Sequence, residues 1–254
     1  MHWEIVLAGF FVGIMMGLTG MGGGSLITPI MIFIFRVPPL FAVGTDLVLG
    51  ALTKGIGAVA HIRLGNVDIT TTKKLLSGSL PGAVLGLLFL KTLQSLHIFS
   101  VDSTIKHILG IVLLVVSLGM FYPSIWKYAD RLKFSTDERK KIWVIRIISF
   151  LVGFIVSITS VGSGSLLVPF MLAAFTLPLP RIIGIDVLHG AILTAVAGAG
   201  HLASGTVDYY LLMNLLIGSI PGVLLGSRLS VVFPKRVMEV ILGSMLAVSG
   251  IKLL

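Results

Sequence analysis

The chain has 254 residues, 56% of them hydrophobic and 11% charged, with a formal net charge of +9 and a mean hydropathy of +1.08. Soluble domains carry roughly a quarter charged residues, so this composition belongs to a chain whose solvent is lipid. Cysteine is absent, which excludes disulfides, thiolate metal sites, iron–sulfur clusters and cysteine nucleophiles.

In chain order, apolar runs fall at about 5–35, 41–62, 75–90, 104–122, 143–175, 181–202, 209–227 and 237–254, each bounded by charge, proline or glycine. Eight spans of about 20 residues leave no length for a separate soluble domain. Ahead of the first run, Met1-His2-Trp3-Glu4 holds no Lys or Arg, so a cleaved signal peptide is not expected. The first and fifth runs are too long for one straight crossing, and glycines interrupt both near the middle. The only long polar stretch, from about Pro123 to Lys141, reads as a cytoplasmic linker whose later part, after Ser135 or Thr136, begins a helix.

Sliding the sequence against itself by 140 residues aligns two halves without a gap, as a duplicated membrane unit requires. Thr19-Gly20-Met21-Gly22-Gly23-Gly24-Ser25-Leu26-Ile27-Thr28-Pro29 meets Thr159-Ser160-Val161-Gly162-Ser163-Gly164-Ser165-Leu166-Leu167-Val168-Pro169. Downstream, Pro38, Gly44, Asp46, Gly50, His61, Gly65, Asp68, Gly78, Pro81 and Gly82 meet Pro178, Gly184, Asp186, Gly190, His201, Gly205, Asp208, Gly218, Pro221 and Gly222. Convergence of apolar helices explains shared leucines but not paired Pro, Asp and His. The expected fold is an all-α polytopic membrane protein of two homologous repeats. Residues 1–124 form the first, 125–142 a cytoplasmic basic linker and 143–254 the second, each repeat having a glycine-broken first segment plus three further spans.

Charge placement tests the orientation of the repeats. If each glycine-broken segment enters and returns, the halves are inverted and Lys and Arg divide about 14 inside to 4 outside, the four being Arg36, Lys91, Lys106 and Lys252. Straight crossings give a weaker bias of about 11 to 7. The inverted arrangement is therefore expected, and the positive charge is a topology signal that makes no case for nucleic acid.

A glycine-rich turn at membrane depth exposes backbone groups that lipid cannot satisfy, so it is tolerated where it lines an enclosed cavity. Helices restarting at Ser25 and Ser165 would offer unpaired amides, a positive dipole end and hydroxyls, a combination suited to an anion. Pro29 and Pro169 suit the first turn of such helices. The predicted substrate-binding residues are Thr19, Gly22, Gly23, Gly24, Ser25, Thr159, Gly162, Ser163, Gly164, Ser165 and Lys54. Lys54 is the one cation deep in an apolar run; it either attracts the anion or pairs with a carboxylate, and its repeat partner is Thr194. Ionisable groups within a span are functional candidates by default, which makes Asp46, His61, Asp186, His189 and His201 the candidates for proton coupling. Competing roles are helix capping for the aspartates, interfacial hydrogen bonding for His61 and His201, and a structural role for the unpaired His189. Pro81 and Pro221 would kink the third span of each half and shape the bundle.

At the paired glycine motif the sequence resembles the sulfite exporter TauE/SafE family, also described as toluene sulfonate uptake permeases. The resemblance rests on a G-x-G-G-G-x-[LI]-x-x-P-type motif near the N-terminus, a second copy after the polar loop, and a downstream Asp-containing span with Pro-Gly further on. It covers nearly the whole chain. It implies a prokaryotic inner-membrane permease moving sulfite, thiosulfate or organosulfonates by secondary transport. The family motif falls on Gly22, Gly23, Gly24, Ser25 and Pro29, and on Gly162, Gly164, Ser165 and Pro169; Ser160 and Ser163 depart from it and add hydroxyls. The expected partners are a small anion and the bilayer, with no cofactor and no metal; oligomeric state is not readable. A passive anion channel is the nearest alternative. Gly162-Ser163-Gly164-Ser165 followed by histidine superficially resembles a Ser–His dyad, but its repeat copy Gly22-Gly23-Gly24-Ser25 has no catalytic need, so the chain is not expected to be an enzyme.

Overall fold

The computed structural model describes residues 3–19, 24–96, 100–121, 138–229 and 235–254. Among these it is helical, with the elements α1 (Trp3–Thr19), α2 (Gly24–Phe33), α3 (Pro39–Arg63), α4 (Ile69–Leu96), α5 (Val101–Phe121), α6 (Glu138–Thr159), α7 (Leu167–Ala174), α8 (Leu179–Ala203), α9 (Tyr209–Leu229) and α10 (Lys235–Leu253). Six stretches are long and apolar enough to cross a membrane: 39–63, 69–96, 101–121, 142–159, 179–203 and 209–229. Large apolar side chains such as Phe11, Ile56, Leu88, Ile111, Ile147, Leu224 and Val248 face outward, as they do where lipid is the solvent. The chain is an integral, multi-pass membrane protein.

The helices overrun the apolar runs that announce them. α4 starts at Ile69 and ends at Leu96 where hydropathy predicts 75–90, because Thr70–Lys74 continue the helix beyond the apolar stretch. The Asp68 carboxylate caps this first turn, which offsets the low helix propensity of the threonines, and lysine stems snorkel at the membrane edge. At the polar linker, residues 138–142 belong to the start of α6, and 125–137 lie outside the described residues.

Four helix pairs dominate the packing: α1 with α9, α4 with α6, α3 with α8, and α5 with α10. The first two are matched copies, since α1 corresponds to α6 and α9 to α4. Both run parallel along small-residue seams. Gly9, Gly13 and Gly17 lie against Leu215, Ser219 and Val223, while Gly78, Gly82 and Gly86 lie against Arg146, Phe150 and Phe154. A methyl group on most of these glycines would overlap a backbone carbonyl of the partner helix, so each contact depends on the absence of a side chain, as small-xxx-small seams in membranes do.

The other two pairs join each helix to its own repeat counterpart, and both run antiparallel. Along α3 and α8, Gly44 meets Thr206, Gly50 meets Thr194, and Gly57 meets Val187. On α5 and α10, Gly110 meets Gly250 and the Ser117 hydroxyl donates to the Gly243 carbonyl at 2.8 Å.

The turns after α3 and α8 repeat one another closely. Gly65 and Gly205 both take φ +67°, and Asn66 N–H and Thr206 N–H return to the carbonyls of His61 and His201 at 3.0 Å. This is a Schellman ending, which needs the left-handed conformation that glycine adopts freely. The paired aspartates that follow cap the next helices. Asp68 accepts from Thr70 N–H (2.9 Å) and Thr71 Oγ1 (2.7 Å), and Asp208 accepts from Leu211 N–H (3.0 Å). The Thr71 hydroxyl above all holds the Asp68 carboxyl below the usual carboxylate range.

These directions sort the basic residues by end. Arg63, Lys73, Lys74, Arg139, Lys140, Arg146, Arg181, Arg228 and Lys235 stand toward the end where α3 finishes and α8 begins. Arg36, Lys91, Lys106 and Lys252 stand toward the other.

Candidate functional site

Where α3 and α8 cross, a pair of equivalent contacts leaves room for chemistry. Gly50 faces Thr194, and at the matching place Gly190 faces Lys54. A methyl on Gly190 would fall 2.9 Å from Lys54 Nζ and 3.1 Å from its Cδ, so the bare glycine gives the lysine chain its slot.

Beside this crossing lies a narrow polar cavity lined by Ser25 of α2, Asp46, Gly50 and Lys54 of α3, Ser160, Gly162, Ser163, Gly164 and Ser165 of the segment between α6 and α7, and Thr194 of α8. The Lys54 ammonium donates to Ser163 Oγ. It hydrogen-bonds to the glycine-rich break rather than to a carboxylate.

The break after α6 has an unusual backbone. Ser160 takes φ 64° and Gly162 φ +128°; the first is costly for a side-chain-bearing residue, and such strain persists where surrounding contacts over-determine it. Here the contact is the Ser160 hydroxyl, which donates to Asp46 Oδ2. Thr28 Oγ1 of α2 donates to the same oxygen at 2.6 Å. Asp46 therefore ties α2, α3 and the break together beneath the surface, with 2% of its area exposed.

That arrangement corrects the capping reading of the two aspartates. α3 and α8 begin after Pro38 and Pro178 with no side-chain cap, and Asp46 and Asp186 lie two turns further in. The α3 amide at Leu40 is instead capped by Asp102 of α5 at 3.0 Å. Asp186 is 3% exposed, and its Oδ1 has no hydrogen-bond partner. The positions equivalent to Thr28 and Ser160 are Val168 and Gly20, so the repeat supplies Asp186 with no hydroxyl. Because α3 and α8 are antiparallel, the two carboxylates lie on opposite sides of the crossing, and Lys54, packed against Gly190, is on the Asp186 side.

The helix restart differs from the expected one. α2 begins at Gly24, but α7 begins at Leu167, two residues after Ser165. The Leu166 and Val168 amides already donate to the carbonyls of Gly162 (3.1 Å) and Gly164 (3.3 Å). A preceding tight turn thus uses amides that a bare helix start would leave free.

Of the predicted residues, the structure brings Ser25, Gly162, Ser163, Gly164, Ser165, Lys54 and Asp46 to one cavity. Gly22 and Gly23 lie outside the described residues, as do the side-chain surroundings of Thr19 and Gly24. Thr159 is turned back on its own helix end, donating to the Ile155 carbonyl at 2.8 Å and accepting from Val161 N–H at 3.2 Å. His201 is a strut between helices, its Nδ1 at 2.8 Å from Thr206 Oγ1 and its Nε2 at 3.0 Å from the Ser157 carbonyl. His61, its counterpart, has Asn66 and Gly17 at the equivalent places, and its Nδ1 has no partner. His189 is fully buried; Nε2 is 2.8 Å from Ser79 Oγ of α4, while Nδ1 is unpartnered. Gly50, Thr194, Ser160 and Thr28 join or support the cavity without having been singled out as site residues. The repeat alignment signals Thr194, as the counterpart of Lys54, and Ser160, as a departure from glycine, whereas nothing in the local pattern marks Thr28.

Comparisons with known proteins agree on what kind of molecule this is. The family model "Sulfite exporter TauE/SafE" matches residues 5–253. The probable membrane transporter protein YjnA of Bacillus subtilis (strain 168) is 38% identical over 263 residues, covering 100% of both chains. The probable membrane transporter protein YunE of the same organism is 26% identical, covering 97% of each chain, and the probable membrane transporter protein MJ0441 of Methanocaldococcus jannaschii is 27% identical, covering 98% of this chain and 94% of the relative. No solved structure matches the chain. The chain belongs to the sulfite exporter TauE/SafE family of membrane transporters.

Proposed function

Taking that membership as the premise, we propose that the chain is a secondary transporter of small sulfur-containing anions such as sulfite, thiosulfate or organosulfonates, located in a prokaryotic plasma membrane. It works by alternating access around the cavity at the α3–α8 crossing. The reading is carried by one observation: the single ammonium at the crossing, Lys54, is held against Ser163 of the glycine-rich break in a cavity also lined by Ser25 and Ser165. A positive charge among several hydroxyl donors matches the several acceptor oxygens of a sulfur oxyanion.

We read the two halves as inverted repeats. The antiparallel pairing of α3 with α8 and of α5 with α10 supports that reading, since a two-fold axis relating antiparallel counterparts runs across the helices. Among the described residues, the cavity takes Ser25 from the first repeat and five residues from the second break, together with Lys54 of the first repeat.

The test is a thermal-shift comparison of purified protein with sulfite, thiosulfate, sulfate and methanesulfonate, followed by counterflow in proteoliposomes with the anion that stabilises it. Saturable counterflow is the expected result; flux without counterflow would make the chain a passive channel. Gly162→Val, which places a β-branched residue at φ +128°, is expected to remove the stabilisation.

A further inference from the structure

We propose that Asp186 carries a proton that travels with the anion, and that its repeat mate Asp46 does not. The proposal rests on the transport reading above and adds the coupling ion and its seat.

The charges at the crossing do not by themselves favour an anion. Lys54 contributes one positive charge, and Asp46 and Asp186 contribute up to two negative ones. A further negative charge brought to membrane depth needs compensation, because uncompensated charge there is expensive. The least demanding compensation is a proton on one of the two carboxylates, since a proton needs no coordination shell.

The two carboxylates are not equivalent acceptors. Asp46 Oδ2 is occupied by the hydroxyls of Thr28 and Ser160, which satisfy it as an anion and make it a structural tie. Asp186 has neither hydroxyl, and its Oδ1 is buried without a partner. A protonated Asp186 breaks no bond seen in the structure.

Lys54 links the anion to that proton. It packs against Gly190, one helical turn from Asp186. An anion seated beside Lys54 cancels the ammonium's positive field, so Asp186, which lies behind the cavity lining one turn from Gly190, takes a proton. When the anion leaves on the far side, Lys54 again favours the carboxylate and the proton is released there. Anion and proton thus favour each other's binding reciprocally. Besides Lys54, the elements packed against α8 carry Asp46, His61 and Arg63 on α3 and Lys73, Lys74 and Lys91 on α4, and α8 itself carries Arg181, His201 and His189, the last held by Ser79 of α4. α7 contains no ionisable residue, and those of α6 lie within 138–146.

The experiment uses the full chain in proteoliposomes with radiolabelled sulfite as probe, comparing counterflow with accumulation driven by an imposed pH gradient. Wild type should do both. Asp186→Asn should keep counterflow within about twofold while gradient-driven accumulation falls by about tenfold or more, and Asp186→Glu should restore part of the accumulation. Asp46→Asn should lower both together. Gradient-driven accumulation surviving in Asp186→Asn overturns the proposal, as does wild-type accumulation that ignores a pH gradient or follows a sodium gradient instead. If wild type shows no sulfite counterflow, thiosulfate and methanesulfonate replace it in the same vesicles, and absence of counterflow with all three removes the transport reading and the proposal with it. Should Asp186→Asn fail to fold, proton uptake by solubilised wild type decides. About one proton per sulfite bound, corrected for sulfite's own protonation, is expected, and none overturns the assignment.

Discussion

Lys54 depends on a residue that has no side chain. Gly190 lets the lysine chain lie flat against α8 so that its ammonium reaches Ser163. Lys54→Met keeps the volume and removes the charge, so it should abolish sulfite-dependent thermal stabilisation with little loss of basal stability. Gly190→Val should have the same effect on binding by displacing an intact ammonium, and Thr194→Ser should spare it. Thermal shift with and without sulfite measures all three. The lysine, the paired aspartates and the glycine breaks are legible in the sequence because an ionisable or helix-breaking residue in an apolar run is unusual on its face. What holds Asp46 is not legible, since its partners Thr28 and Ser160 stand 18 and 114 residues away. A buried hydroxyl that reaches across helices leaves no periodic trace. The same limit applies to the aspartates themselves: closeness to a helix start suggests a cap, but α3 borrows its cap from Asp102 of α5.

Among the helices, glycine placement separates seams from lipid-facing surface. Gly82 would meet the Phe150 backbone if it gained a side chain, whereas Gly55 has nothing within 4 Å. Gly82→Leu should therefore cost about 1–3 kcal/mol or prevent folding. Gly55→Leu should be neutral or slightly stabilising, because leucine is the better helix former. Unfolding of both variants in the same detergent checks the contrast. The spans and both breaks are readable as hydropathy and glycine spacing, while helix ends are not. Thr70–Lys74 look like a loop by polarity and are helix because Asp68 caps their first turn and the lysine stems snorkel at the membrane edge. The start of α7 is also displaced, because the amides of Leu166 and Val168 close a turn before the helix proper begins.

For the molecule as a whole, the absence of cysteine makes orientation directly measurable. Leu64 and Ser204 are repeat counterparts, both exposed in the turns that follow α3 and α8. If the halves are inverted, Leu64→Cys should react with a membrane-impermeant maleimide from one side of sealed vesicles and Ser204→Cys only from the other. Labelling of both from the same side would show parallel repeats. The duplication is visible in sequence, and so is the skewed distribution of Lys and Arg. Which helices touch is not, because identical apolar faces would pack in several ways. The seams of Gly9, Gly13 and Gly17 and of Gly78, Gly82 and Gly86 choose among them by where backbones can approach.

The helix directions also bring Trp3 and Leu254 to the same end of the bundle. A rearranged gene that linked residue 254 to residue 1 through a connector and opened the chain between 122 and 137 would translate the latter half first. Each helical partnership described above would survive that reversal, so the assembled bundle should be indifferent to which half the ribosome makes first.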